Sequence, residues 1–460
     1  MKKAISILLA AIMIFSLCVT AFADDASAGS SYTIVNPYAD VIWSGDGAYR
    51  AYKGNLHTHS TVSDASTEYR EMITEYYNRG FDFLAMTDHA VTGKPWNERP
   101  TQIPLYLYQY IAGHKMTYFT DEEFAALQDG SFPVNGQPRG YGMTYVPGGN
   151  ELNGLTITKD HVNALFLPEH AGDNYLGFEN DYEGAVRLAD KNGAISFINH
   201  PGDWLNSNAD RANCSDPEKI AYFSDILLRY DSCIGMEVFN EHNGVTGYDR
   251  DTWDNILMYC LPYGKNIIAF SNSDAHTVNE IDSSFEVFMM KENTLDNIKQ
   301  TMLDGAFFAI TRVIRADKEK FGPEESFDAR NTDIAYPMFS DIQVDGHKIT
   351  VSFHDAYNLK WVANGNVIKS EDYTQSADTS TFTIDLDEID GAEDFLYVRC
   401  QLLGTGGLTL TQTFVIDDGT EPPVYERDNS ASAVLKRLVR QFFSLRIFVL
   451  LKKLWSVIFD

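Results

Sequence analysis

The chain reads as an α/β protein: a β/α barrel or parallel sheet, then a small antiparallel β-sandwich, then a basic amphipathic helix. Three observations predict this. From about residue 50 to 315, short apolar runs alternate with helical stretches, which is the pattern of βα units. After about residue 335 the runs alternate in period two and are separated by turn residues, as in a sandwich. Residues 432–459 carry six basic residues and no acidic one among Phe, Leu and Trp. At 460 residues with 44% hydrophobic content, the chain is long and apolar enough for a sizeable core.

The elements follow in order. Residues 1–23 are expected to be a signal peptide: Lys2 and Lys3 precede an apolar run that ends in Ala21-Phe22-Ala23, a small-x-small cleavage pattern. A retained anchor is the alternative. Segment 24–49 precedes the α/β unit, expected over 50–320. Its candidate strands are "GNLHTH", "FDFLAMTDH", "TYVPGGNE", "HVNALFL", "AISFINH", "IGMEVFN" and "NIIAFSNSDAH". The first helix should run from about Thr67 to Arg79, capped by Ser66 or Thr67 and stopped by Gly80. Later helices fit 181–192, 217–230, 249–261 and 294–304, the last capped by Thr294. An insertion over 91–142 is rich in Tyr and holds a capping box, Thr120 with Glu123. The β-sandwich is expected at 336–418, with "GTGG" (404–407) as a hairpin loop rather than a phosphate loop. A linker follows at 419–430. The helix over 431–460 is broken too often by Lys and Arg to span a bilayer, and fits a membrane surface. Docking on the protein's own surface is the alternative.

Composition narrows the partners. The net charge of −29 argues against an extended nucleic-acid surface, since phosphates would be repelled. A small anionic or ester substrate held by metal ions stays possible, because bound cations dominate the local field. Cys214, Cys233, Cys260 and Cys400 are scattered without a C-x-x-C pattern and read mostly as buried thiols.

Metal-type residues gather at the strand ends. His57 and His59 lie one residue apart, on one face of an extended strand. Asp88 and His89 end the second strand, Glu151 the third, His200 the fifth, and Asp274 with His276 the seventh. His161 begins "HVNALFL", where the preceding loop could bring it to the same rim. Functional groups at strand C-termini are what an α/β barrel uses as its active face. Asp88 could orient a ligand histidine or cap a helix. His170 and His242 are loop candidates for a proton donor.

The ordered motifs "HTHS…D", "TDH", "GNE", "HVNALFL", "INHP" and "SDAH" resemble the PHP (polymerase and histidinol phosphatase) family over about residues 50–315, close to a secreted branch of carbaryl-hydrolase-like metallohydrolases. The resemblance implies a distorted seven-stranded β/α barrel binding two to three divalent ions. A first ion would take His57, His59, Asp274 and a bridging Glu151. A second would take Glu151, His161 and His200, and a third Asp64, His89 and His276. Glu151, Asp274 and His276 would also be the catalytic residues. A mixed His/carboxylate set suits Zn, Mn or Fe, and two ions sharing Glu151 would lower the pKa of a water held between them. This implies a phosphoesterase, with a carboxyl- or carbamate-ester hydrolase, or an inactive envelope-bound binding protein, as alternatives. One departure stands out: relatives that hydrolyse nucleotides follow His-Pro with a phosphate-gripping arginine, where this chain has Asp203 and Trp204. Lys94, Arg139 or Lys159 could substitute. Export, with retention at the outer face of the membrane, completes the expectation.

Overall fold

A computed structural model describes residues 32–100, 116–153, 159–175, 181–240, 247–314, 320–321, 326–445 and 451. The signal-peptide segment and His242 lie outside the described residues. The first part of the chain supplies strands β1 (Arg50–Asn55), β2 (Phe83–Leu84), β3 (Thr144–Tyr145), β4 (Asn150–Leu152), β5 (Val162–Leu165), β6 (Ile195–Ile198), β7 (Cys233–Phe239), β8 (Ile268–Ser271), β9 (Ser284–Met290) and β10 (Phe307–Thr311). Helices α1 (Tyr69–Asn78), α2 (Asp121–Asp129), α3 (Glu183–Lys191), α4 (Pro201–Leu205), α5 (Pro217–Arg229), α6 (Asp249–Cys260) and α7 (Leu295–Asp304) are interspersed with them. The result is a mixed α/β architecture.

Local chemistry explains the helix ends. Thr120 and Glu123 form the reciprocal capping box at α2, and Thr294 caps α7. At α1 the cap is Glu68, not Ser66 or Thr67. Ser66 is drawn instead to the His276 carbonyl, which accepts from its backbone N–H at 3.1 Å.

Strand direction departs from the all-parallel expectation. β1, β2 and β3 run parallel, as do β6, β7 and β8. β5 is antiparallel to both β4 and β6. This reversal has a use: the start of β5, with His161 just before it, lies at the same rim as the ends of its neighbours.

The C-terminal part supplies β11 (Met338–Asp345), β12 (Lys348–His354), β13 (Asn358–Ala363), β14 (Asn366–Asp372), β15 (Ser380–Asp385), β16 (Tyr397–Gly404), β17 (Gly407–Leu410) and β18 (Phe414–Asp417), followed by helix α8 (Ala431–Ser444). Asn364 and Gly365, both at positive φ, turn β13 into β14. "GTGG" does form a hairpin loop, with Gly404 paired to Gly407. β11, β12 and β15 make one three-stranded sheet. Its inner residues Ile349, Val351, Phe353 and Ile384 share a buried cluster with Trp361, Cys400 and Leu402 of the facing strands. That facing sheet does not stop at the sandwich. β17 pairs with β10, which pairs with β9 and through it with β1. At the far edge β18 pairs with a strand not foreseen from the sequence, Thr33–Val35. The four described cysteines are buried and free.

A buried ion pair also joins the two parts. Arg399 of β16 makes two bonds of 2.9 Å to Asp254 of α6, which also accepts from Tyr397 at 2.6 Å. Both charged side chains are closed off from solvent. Removing one partner would leave the other charge uncompensated in the interior. Asp254→Ala should therefore destabilise the protein by about 3–5 kcal/mol, measured by denaturant unfolding. A loss under about 1 kcal/mol would show that the pair is not what couples α6 to β16.

Candidate metal centre

Short backbone hydrogen bonds assemble the rim. Thr58 bridges Ala275 in parallel register. His59 N–H donates to the Ala275 carbonyl and Asp274 N–H to the His57 carbonyl, both at 3.0 Å. On the other side, Thr87 N–H donates to the Thr58 carbonyl and Glu151 N–H to the Thr87 carbonyl, again at 3.0 Å. Four segments far apart in sequence are thus laced edge to edge, each bringing its metal-type side chain. The lacing explains Gly149 in "GGN": a Cβ there would come within 2.4 Å of the Met86 carbonyl oxygen. Two of the residues sit on left-handed backbone, Asp274 at φ 46° and His200 at φ 25°. Such conformations persist only where the surroundings over-determine them.

The side chains converge. His57 Nε2 and His59 Nε2 stand 3.2 Å apart, each 3.1 Å from Asp274 Oδ1. Glu151 Oε1 lies 3.2 Å from His57 Nε2 and 3.1 Å from both His161 Nδ1 and His200 Nε2. Its Oε2 lies 3.0 Å from His59 Nε2 and 3.3 Å from His89 Nε2. Asp64 sits 3.5 Å from the Nε2 atoms of both His89 and His276. All nine residues picked out from the sequence are therefore brought together. Their potential ligand atoms form three overlapping groups, each within 4.8 Å: His57, His59, Glu151 and Asp274; His59, Asp64 and His89; His89, Glu151 and His161. The first group matches the expected set. In the other two, His59 and His89 stand where His276 and His200 were expected, although both of those flank the same carboxylates.

The electrostatics are those of a cluster that demands positive charge. Burial disfavours the protonated rings of His57 and His59, yet Asp274 and Glu151 raise both well above their ordinary range. His200 is pushed up to about 9 against burial, chiefly by Glu151. His276 is likewise pushed up to about 9, with Asp64 and Asp274 overcoming burial and the neighbouring His59. For His161 burial wins and its pKa falls. Burial also opposes the charge on Glu151 and Asp274, but the facing histidines hold both well below the carboxylate range. Protons here occupy places that divalent cations would compete for. Converging imidazole nitrogens and carboxylate oxygens suit borderline transition-metal ions, so the residues present fit the group.

Other groups hold these side chains in place. Asp88 caps no helix. Its carboxylate accepts from Ser60 N–H (2.8 Å), Ser60 Oγ (2.9 Å), Ser63 N–H (3.2 Å) and Ser63 Oγ (2.9 Å). Ser63 Oγ in turn lies 3.2 Å from His59 Nδ1, so Asp88 steadies the loop after His59. Glu237 of β7 was not among the expected site residues, yet it is fully buried and its Oε1 lies 2.8 Å from His57 Nδ1. Asn240 and Asn272 donate to it at 2.7 and 3.2 Å, and His200 N–H at 3.0 Å. An acid in the middle of an apolar strand was the available signal, since burying one is costly unless it is paired.

The candidate cations have other occupations. Arg139 lies between the rings of Tyr77 and Tyr141 and donates to the carbonyls of Tyr77, Phe81 and Gly142. Lys94 pairs with Glu169 at 2.9 Å, and Lys159 pairs with Asp203. His170 is an exposed loop residue paired with Asp173.

Fold and side chains together define a buried histidine–carboxylate cluster, suited to a divalent metal, at the strand ends of an α/β protein. No protein-family model matches the chain, and no curated protein matches it in sequence. Among solved structures it is similar to a two-domain protein from Bacteroides vulgatus containing a predicted PHP-like metal-dependent phosphoesterase, at 20% identity and a TM-score of 0.40, over 80% of this chain and 96% of that one. It is also similar to a lesion-specific endonuclease from Pyrococcus furiosus, at 15% identity and a TM-score of 0.30, over 55% of this chain and 56% of that one. A third similar structure is an amidohydrolase from Chromobacterium violaceum, at 16% identity and a TM-score of 0.27, over 48% of this chain and 87% of that one.

Glu237 gives a test specific to this geometry. Glu237→Gln keeps the shape but weakens the hold on the His57 proton, so metal affinity should fall by about 10–100-fold. Titration of metal-stripped protein checks this, and unchanged affinity would assign Glu237 to folding alone.

Proposed function

We propose that this chain is a metal-dependent hydrolase of the PHP type acting on phosphate esters, built on a distorted seven-stranded β/α barrel. One observation carries the reading. The two oxygens of buried Glu151 are shared among ring nitrogens of His57, His161 and His200 on one side and His59 and His89 on the other. Hydrogen bonds alone use a carboxylate less densely than this, whereas cations seated between carboxylate and imidazoles account for the crowding. His57, His59, Asp274 and Glu151 would hold one ion, and Asp64, His89, His161, His200 and His276 would complete the sites of one or two more. When bound, the ions supply Lewis acidity and a polarised water.

The rest of the work falls to the chain. Glu237 keeps the His57 proton on Nδ1, which leaves the Nε2 lone pair facing the site. Asn199 donates to Glu151 Oε1 at 2.8 Å and limits rotation of the shared carboxylate. Burial of His57, His59 and Glu151 keeps bulk water out and strengthens every charge interaction inside. We also propose export, on the composition of residues 1–23.

A second reading, a carboxyl- or carbamate-ester hydrolase using the same centre, is favoured by the engagement of Arg139, Lys94 and Lys159 elsewhere. On the first reading, those pairings leave the phosphate of a substrate to be gripped by the ions. A hydrolysis screen over phosphomonoesters, phosphodiesters, nucleotides and carboxyl esters, with Zn, Mn or Fe added, separates the two. Turnover of carboxyl esters alone would overturn the first reading.

Purified protein should hold two to three transition-metal ions per chain. Glu151→Gln should weaken the ions together and lower the rate by about 10²–10⁴. Elemental analysis finding no metal, with no uptake on titration, would remove the basis of the proposal, and full activity in Glu151→Gln would reassign that residue.

A further inference from the structure

Helix α8 turns its faces the wrong way for a helix that belongs to its own protein. Leu435, Leu438, Val439, Phe442 and Phe443 recur at the i, i+3, i+4, i+7, i+8 spacing that makes a single stripe. Along that order they are 62, 57, 47, 54 and 64% exposed. Lys436, Arg437 and Arg440 lie off the stripe, and two of them reach the body. Lys436 Nζ is 3.3 Å from Glu218 of α5, and the Arg440 guanidinium lies 4.4 Å over the ring of Tyr222 on the same helix. A helix docked on its own protein would bury Phe442 and Phe443 and leave its cations in water. This one leaves the apolar stripe exposed, and its contacts to the body are made by cations. Among the described residues no helix is long and apolar enough to cross a membrane.

We propose that the apolar face of α8 seats on a bilayer surface carrying anionic headgroups. Charge decides between lipid and a second copy of the chain. α8 holds three cations and no carboxylate, and the sequence from 445 to 459 adds Arg446, Lys452 and Lys453, again with no acid. Pairing two such helices would bring cations against cations, whereas anionic headgroups complement them. The whole chain is strongly acidic, at −29, so its body is repelled by the same surface and attachment is confined to the helix.

Flotation of the full-length protein with phosphatidylcholine vesicles, with and without phosphatidylglycerol, tests this. The protein should float with the anionic vesicles at low salt. Binding should fall at least about tenfold with neutral vesicles or at high salt, and at least about tenfold in Phe442→Ser with Phe443→Ser. Both changes are at exposed positions, so circular dichroism should show the variant folded. No binding to anionic vesicles, equal binding to neutral ones, or binding unchanged in the double variant would each overturn the proposal. A wild-type dimer that the double variant dissolves, with no vesicle binding, would overturn it in favour of a second copy.

Discussion

A carboxylate taken out of water needs positive charge, hydrogen bonds or a proton, and Glu151 is the place where this protein meets that demand with positive charge. It is almost wholly closed off from solvent and its oxygens are faced from both sides by imidazoles. Much around it follows from that requirement. The histidines must arrive from several strands, so the strand ends must be held in one plane. The plane is set by backbone bonds running from Ala275 through Thr58 and Thr87 to Glu151. Each histidine must present a chosen nitrogen, so a further ring of acceptors is needed behind it. Glu237 and the Asp88–Ser63 pair fill that place for His57 and His59.

The same demand sets the balance of charges. With only protons available, His57, His59, His200 and His276 are all raised above the ordinary histidine range. A divalent cation brings more charge per unit of space, and it uses lone pairs that protons would otherwise consume. The left-handed backbone at His200 and Asp274 belongs to this picture. Both residues are held by bonds from their own amides, His200 to Glu237 and Asp274 to the His57 carbonyl.

The site was more legible in the sequence than the sheets were. His57, His59, Asp88, His89, Glu151, His200, Asp274 and His276 sit in short motifs at strand ends, and a motif a few residues long survives any uncertainty about distant pairing. The reversal of β5 was not readable, because a short buried run looks the same in either direction. Nor was the role of Glu237, whose partner His57 lies 180 residues away. The pairing of Thr33–Val35 with β18 depends on a contact across almost the whole chain, and no local pattern announces it. The Glu68 cap of α1 was missed for a smaller reason: the Ser66 amide was committed to the loop that carries His276.

The pairing of β17 with β10 bears on how such a chain could have been assembled in evolution. A unit that meets its neighbour through side chains alone can be replaced without disturbing the neighbour's ladder. Here Ala309, Ile310 and Thr311 are paired by backbone to Leu410, Thr409 and Leu408. Cutting the chain between the two halves would turn β10 into an open edge, the kind of surface that recruits foreign strands. A replacement for the C-terminal half would therefore keep that edge closed only if it brought a strand of its own to β10.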